Sequence, residues 1–543
     1  LDFRDEADYF QRTDSEIQMK QSIFKAVVLA GIFQALPTAQ AQSLDQIGVT
    51  LLRATTTNLN GSGIRVAQPE AIESLGTTNF QVKPSAVGQP TNLFVYHSHA
   101  GMATGFPNAV GGESGHADDV GRFFYGLSAG VATNVARVDN YDAEFFVTNY
   151  VFTLSNASAA VVNQSFTFGN VSTNVPTPTN YLSVSDQEGI DSAYDDYAIT
   201  FGTLFISPAN NGGSVSPPGT AYNCICVAAY GGSSSIGPTL DNGRCKPDLT
   251  APAGATSYST PQVAGAAAVL LQAALRGDGG SDTNAARDSR TIKALLLNGA
   301  VKPSDWTGSP VVPLDARYGA GVLNLFNSYR QLAGGKQILS ATNKIALDAD
   351  HPPATATNTI PVHAGWSLGN ISSSPTNDAV WHYLFNVTNV MATATVVWNR
   401  QFGAAGVNDL DLFLYDCANS NLIASSISYV NNVEHLWVTN LPAGRYDLQV
   451  VKYGGTNVVS HTETFALAWQ LVPPPALAIA QGVSLSLTWP FYPAGFVVEA
   501  TTNLLFSGGW TTNQWSPPVF TNGQNTLFLN PTNAAQFFRL RQP

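Results

Sequence analysis

The chain has 543 residues and a formal net charge of −12, from 25 Lys and Arg against 37 Asp and Glu. That acidic balance excludes nucleic-acid binding by phosphate neutralisation. Four cysteines are too few for a disulfide-built fold, and the length leaves room for roughly two to four domains around large cores.

Residues 1–18 are charged and read as an extraneous upstream segment. Residues 19–41 read as a secretory signal peptide: a basic start (MKQSIFK), an apolar stretch (AVVLAGIFQAL), and a small-x-small site at Ala39-Gln40-Ala41. No later stretch has the roughly 18 uninterrupted apolar residues of a membrane span. The expectation is an exported protein, secreted or periplasmic, with no membrane span.

Residues 42–345 alternate short apolar runs with helical stretches. GIRVAQPEA predicts a buried strand at Ile64 to Ala67, followed by strands in VARVDNYD, SAAVVNQSF, GTLFISPA and NCICVAAY. Buried strands between helices predict an α/β domain with a mainly parallel sheet covered on both faces. A long Ala-rich helix follows Ser257, then helices in RTIKALLLNGA and VLNLFNSYRQLA. HPPATATNTIP, near 350, is a Pro/Thr-rich junction. Residues 350–473 hold short strand candidates separated by Asn, Gly, Pro and Asp, which predicts an antiparallel β-sandwich. After Pro473-Pro474-Pro475, residues 476–543 read as a small all-β domain that needs a neighbour to pack against.

Chemistry concentrates at Ala255-Thr256-Ser257-Tyr258-Ser259-Thr260-Pro261-Gln262-Val263-Ala264-Gly265. A serine at a helix mouth meets free backbone N–H groups and the positive end of the helix dipole, which suits a nucleophile. This segment resembles the G-T-S-x-A/S-x-P-x-V-A-G nucleophile motif of subtilisin-like serine proteases, with Ala255 in place of the first Gly. Upstream, GPTLDNGRCKPDLTAP (237–252) resembles a second stretch of that family, and the likeness runs from Gly61 to Asn324.

The resemblance implies a subtilisin-like three-layer α/β fold, hydrolysis of peptide bonds, protein or peptide substrates, and no required cofactor. It places the general base at His116, in Glu113-Ser114-Gly115-His116-Ala117. The family's orienting aspartate is replaced by Glu70 in Val66-Ala67-Gln68-Pro69-Glu70, giving a Ser-His-Glu triad; Glu113, Asp118 and Asp119 are alternative acids. Asn210 aligns with the oxyanion donor, and Asn211 takes the role if the register slips by one. Asn163-Gln164-Ser165-Phe166-Thr167 resembles the family's substrate-binding edge, so Ser165, Phe166 and Thr167 are expected to line the cleft. Two departures stand out. The surface loop that usually precedes the nucleophile motif is missing, and only about 20 residues separate Ala41 from the first strand, where secreted members carry a prodomain. A catalytically degenerate relative, acting as a binding or structural module, is the rival reading.

Cys224, Cys226 and Cys245 fall close together, and in an exported protein Cys245 can pair with Cys224 or Cys226. Cys417 has no evident partner. His97 and His99, in YHSHAG, read as a surface loop in preference to a metal site. Asp409-Leu410-Asp411 resembles the D-L-D-L signature of β-sandwich domains that follow secreted bacterial proteases (the pre-peptidase C-terminal type). Asp409 and Asp411 are candidate ligands for a structural Ca2+. Trp381, Trp398, Trp437 and Trp469 are expected in the sandwich core. The C-terminal β domains are expected to serve attachment, such as cell-surface association, or stability.

Overall fold

The apolar runs of the first half assemble into one eight-stranded sheet. In this computed structural model the residues described are 44–73, 76–481, 484–490, 492–505, 509–512, 518–521, 524–529 and 536–541. The expected signal peptide and the segment before it lie outside them.

The strands are β1 (Arg65–Glu70), β2 (Phe94–Ser98), β3 (Gly101–Ala103), β4 (Arg137–Asp142), β5 (Val161–Asn163), β6 (Leu204–Pro208), β7 (Ile225–Tyr230) and β8 (Leu249–Pro252). Their order across the sheet is β8-β7-β6-β5-β1-β4-β2-β3, parallel throughout except for the β2–β3 hairpin. Strands buried on both faces carry near-continuous apolar runs, which is how these segments read. The chain starts in the middle of the sheet, at β1, and builds outward on both sides. The crevice at the carboxyl ends of β1, β5 and β6 is therefore a topological switch point, where α/β sheets hold their ligands.

Two structures differ from the sequence expectation at the front of the domain. The first strand runs to Glu70 instead of ending at Ala67, so Glu70 is a strand residue with no exposed surface. YHSHAG is a strand and hairpin, not a surface loop: His97 is buried on β2, its ring stacks on Tyr141, and Nε2 lies 3.2 Å from Asp139 Oδ1.

The helices are α1 (Val49–Thr55), α2 (Gly115–Phe124), α3 (Val184–Phe201), α4 (Thr256–Arg276), α5 (Ser289–Asn298) and α6 (Leu325–Ala333). α4 is the axis of the core. Its run of Ala and Gly lets neighbours approach closely: a Cβ on Gly265 would lie 2.6 Å from Val131 Cβ and 3.1 Å from the Phe124 carbonyl. Ile47, Val49 and Leu52 pack into the same core, so the first described residues belong to the domain itself.

The sandwich begins earlier than residue 350. Strand β9 (Ala341–Ala346) pairs with β10 (Asn377–Val387) in a five-stranded sheet completed by Leu410–Asp416, Leu422–Ser426 and Gly444–Lys452. Facing it is a four-stranded antiparallel sheet of Ala364–Ser372, Thr462–Val472, Val390–Trp398 and Val433–Leu441. Trp398 and Trp469 fill the core between them, and Trp381 is partly buried against it. Trp437 is the exception: it faces the first domain and meets Trp306 edge-on at 5.4 Å. The two units are tied by buried polar contacts, among them Thr395 Oγ1 donating to Asn298 Oδ1 and Arg400 paired with Asp195 at 3.1 Å.

The last domain has a small cluster of its own (Leu487, Trp489, Val498, Leu527, Leu529). As its size demands, it leans on a neighbour: Ala494 N–H donates to Asn327 Oδ1 on α6, and Tyr492 packs on Phe326. Among the described residues, no helix is long and apolar enough to cross a membrane.

Candidate active site

Ser257 is the second residue of α4 and is partly exposed. Ala255 caps that helix with φ −151° and ψ 157°, an extended conformation open to any residue, so the Ala-for-Gly exchange introduces no backbone strain. The short connection from β8 to α4 closes as an ordinary strand-to-helix turn. The Ser257 N–H is one of the four helix-start donors that have no intrahelical acceptor, and it has no acceptor among the described residues.

Pro261 lies inside α4, where it has no N–H to offer the carbonyl four residues back. That carbonyl belongs to Ser257, and Ser165 Oγ donates to it instead, at 2.9 Å. Ser257 Oγ in turn donates to the Ser165 carbonyl at 3.4 Å. The expected cleft-lining segment therefore runs directly beside the nucleophile. Ser165 itself is buried, while Phe166 and Thr167 are half-buried, and Phe166 packs near Phe168 at 6.2 Å.

His116 is the second residue of α2, two residues after the Ser114 N-cap. Its Nδ1–H donates to Glu70 Oε2 at 2.9 Å. The other three candidate acids are engaged elsewhere: Glu113 pairs with Lys83, Asp119 with Arg122, and Asp118 accepts the Lys83 N–H. Burial works against protonating His116, but the Glu70 carboxylate outweighs it and holds the imidazole above its ordinary value. Burial also pushes Asp118, in the first turn of α2, up to about 7.

Several residues around this pair had not been singled out by sequence reasoning. Glu73 Oε1 accepts the N–H groups of Gly115 and His116 and so fixes the start of α2. Gln68 contacts the second oxygen of Glu70, and Tyr125 contacts Gln68. The available signal was the pair of polar residues at i and i+2 in an otherwise apolar central strand, which share one face.

The two candidate oxyanion donors, Asn210 and Asn211, are held differently. Asn210 lies at φ 92°, and its Nδ2 donates to Asn170 Oδ1 and Ser216 Oγ, both at 3.1 Å, so its amide hydrogens are committed to the loop. Asn211 bonds to the residue before Ser257: its Oδ1 accepts both the N–H and the Oγ1–H of Thr256 at 2.8 Å. Its Nδ2 has no hydrogen-bond partner among the described residues.

The remaining candidates do not join the site. All four cysteines are free thiols. Cys224 is buried beside Phe205 and Tyr194, Cys226 beside Ala209 and Val215, and Cys245 accepts from Asn431 Nδ2, so the expected pairing is not formed. Burial raises Cys226 to about 12. Asp411 Oδ2 accepts from Tyr453, and Asp409 adjoins a cavity of about 420 Å³ that is also lined by Asp348 and Asp378. Among the described residues, no group of three His, Cys, Asp or Glu is arranged to hold a metal ion.

Comparison with known proteins agrees with the geometry for part of the chain. Residues 100–326 match the model of the Subtilase family, peptidase S8. The match includes His116, Asn211 and Ser257 and begins after Glu70. Among solved structures, the chain is similar to the serine protease of Aeromonas sobria, with 14% identity and a TM-score of 0.36 over 81% of this chain and 86% of that one. It is also similar to tripeptidyl peptidase 2, with 12% identity and a TM-score of 0.30 over 72% of this chain and 43% of that one.

Proposed function

We propose that the chain is an exported serine endopeptidase that cleaves peptide bonds with a Ser257–His116–Glu70 triad. The observation that carries the reading is the 2.9 Å hydrogen bond from His116 Nδ1 to Glu70 Oε2, in a domain whose serine sits at the mouth of α4. With its proton on Nδ1, the neutral imidazole presents a lone pair on Nε2. Nε2 takes the Ser257 Oγ proton as Oγ bonds to the substrate carbonyl carbon and the carbonyl π pair moves onto oxygen. Asn211 Nδ2 and the Ser257 N–H donate to that oxygen as its charge develops. When the tetrahedral centre collapses, the C–N bond breaks and His116 returns the proton to the leaving amine. Water then repeats the sequence to free the acid and Ser257. No cofactor enters these steps.

A fluorophosphonate probe with intact-mass readout tests the reading. One adduct is expected on the folded, exported chain, and Ser257→Ala abolishes it. A folded wild-type chain that takes no adduct and leaves casein uncut would overturn the peptidase reading in favour of a binding or structural module. Export is tested separately: the exported chain is expected to begin at Gln42.

A further inference from the structure

The carboxylate that orients His116 is itself oriented. Gln68 and Glu70 lie two apart on β1, on the face toward α2, and neither has exposed surface. The Gln68 Nε2 group donates one hydrogen to Glu70 Oε1 at 2.9 Å and the other to the Ala117 carbonyl at 3.0 Å. Gln68 Oε1 accepts from the Tyr125 hydroxyl at 2.5 Å. The amide has one orientation under these constraints. A carbonyl and a carboxylate only accept, so the NH2 must face them, and the hydroxyl then donates to the amide oxygen. Ala117 follows His116 and Tyr125 caps the same helix. Gln68 therefore ties the carboxylate to the helix that carries the imidazole.

We infer that Gln68 is a positioning residue for the Glu70–His116 pair: it occupies Oε1, leaves Oε2 to His116, and thereby holds the carboxylate where it accepts from Nδ1. A glutamate side chain has one more rotatable bond than an aspartate, and a carboxylate free to swing would meet Nδ1 only part of the time. The donor from Gln68 removes that freedom. This inference rests on the triad proposed above.

The consequence is a non-additive pair of substitutions. In Glu70→Gln the Gln68 NH2 still demands an acceptor, so the new amide turns its oxygen toward Gln68 and its NH2 toward His116 Nδ1. The imidazole must then accept at Nδ1 and carry its proton on Nε2, where it cannot receive one from serine. The expected loss in kcat is roughly 10⁴-fold, the cost of the wrong tautomer. In the double variant Gln68→Leu/Glu70→Gln that demand is gone. The amide can turn its oxygen to Nδ1, and kcat is expected to recover at least about tenfold over Glu70→Gln. Gln68→Leu alone is expected to lower kcat roughly 10²-fold with KM nearly unchanged, as for a small misplacement of a catalytic group.

The test measures kcat for the three variants of the full exported chain, and the 15N shifts of the His116 imidazole above its titration. Tyr125→Phe/Glu70→Gln, which removes one oxygen from the anchor, is the backup should Gln68→Leu fail to fold; a smaller recovery is expected. A double variant no faster than Glu70→Gln would overturn the inference, as would a Glu70→Gln imidazole still protonated at Nδ1. The imidazole shifts do not depend on turnover. A chain that shows the tautomer change but takes no fluorophosphonate label would refute the peptidase reading and leave the role of Gln68 standing.

Discussion

The one-residue difference between Asn210 and Asn211 can be settled by two substitutions. Asn211→Leu removes the Nδ2 donor proposed to face the oxyanion, together with the Oδ1 acceptor of Thr256. A single donor aimed at developing charge in a water-poor site contributes roughly 10² to 10³ in kcat, or about 2.7–4 kcal/mol of the barrier. The loss should fall on kcat and leave KM nearly alone, since the donor acts on charge that is absent from the ground state. Asn210→Ala removes two hydrogen bonds within the loop, to Asn170 and Ser216. It also places alanine at φ 92°. Its cost should appear as a lower melting temperature, with kcat within about tenfold of wild type, because strained positions affect stability first. Steady-state hydrolysis of a chromogenic peptide, with thermal unfolding of both variants, makes the comparison. A folded Asn210→Ala chain that loses more kcat than Asn211→Leu would refute the reasoning.

Three further outcomes follow from the same structure. His116 is held above its ordinary value by Glu70 despite burial, and only the neutral imidazole can act as base. Thus kcat/KM should rise with pH through one ionisation whose midpoint lies above about 6.5, and a midpoint below that value would contradict the ion pair. Gly265→Ala forces a Cβ to 2.6 Å from Val131 Cβ and should destabilise the chain by roughly 1–3 kcal/mol in denaturant titration. Lys302 is buried, its Nζ has no hydrogen-bond partner among the described residues, and burial lowers it to about 7. Between that value and its unfolded value the unfolded chain binds more protons, so this lysine makes stability rise with pH from about 7 toward roughly 10.4. Lys302→Met should raise the melting temperature and flatten that slope; an unchanged slope would show that the lysine is not its source.

Much of the site was legible because its chemistry is local. Ser257, His116 and Glu70 each sit in a short segment whose residue types match the task proposed for them, and the strand or helix they belong to follows from its own apolar pattern. What escaped depends on contacts between segments. The different hydrogen bonding of Asn210 and Asn211 goes with a left-handed backbone turn at Asn210, which two adjacent asparagines do not announce. Gln68 and Tyr125 are far apart in the chain and meet only because α2 packs on β1. The helix Val184–Phe201 carried a local signal that was overlooked, a Ser183–Asp186 capping box, because its polar composition hides its apolar face. YHSHAG, with His97 and His99, reads as a surface loop, yet the pairing of Phe94–His97 with Val138–Tyr141 pulls its start into the sheet.

Pro261 makes the nucleophile and the cleft edge one mechanical unit. By withholding an N–H from the Ser257 carbonyl, it hands that carbonyl to Ser165, and the reciprocal contact from Ser257 Oγ closes a small ring between the helix and the loop after β5. A helix and a loop joined in this way cannot drift independently, so a peptide laid along 163–167 would keep its distance from the serine as the cleft breathes. The rigidity of the reacting geometry then comes from a missing donor in the helix, and restoring that donor with Pro261→Ala would loosen it.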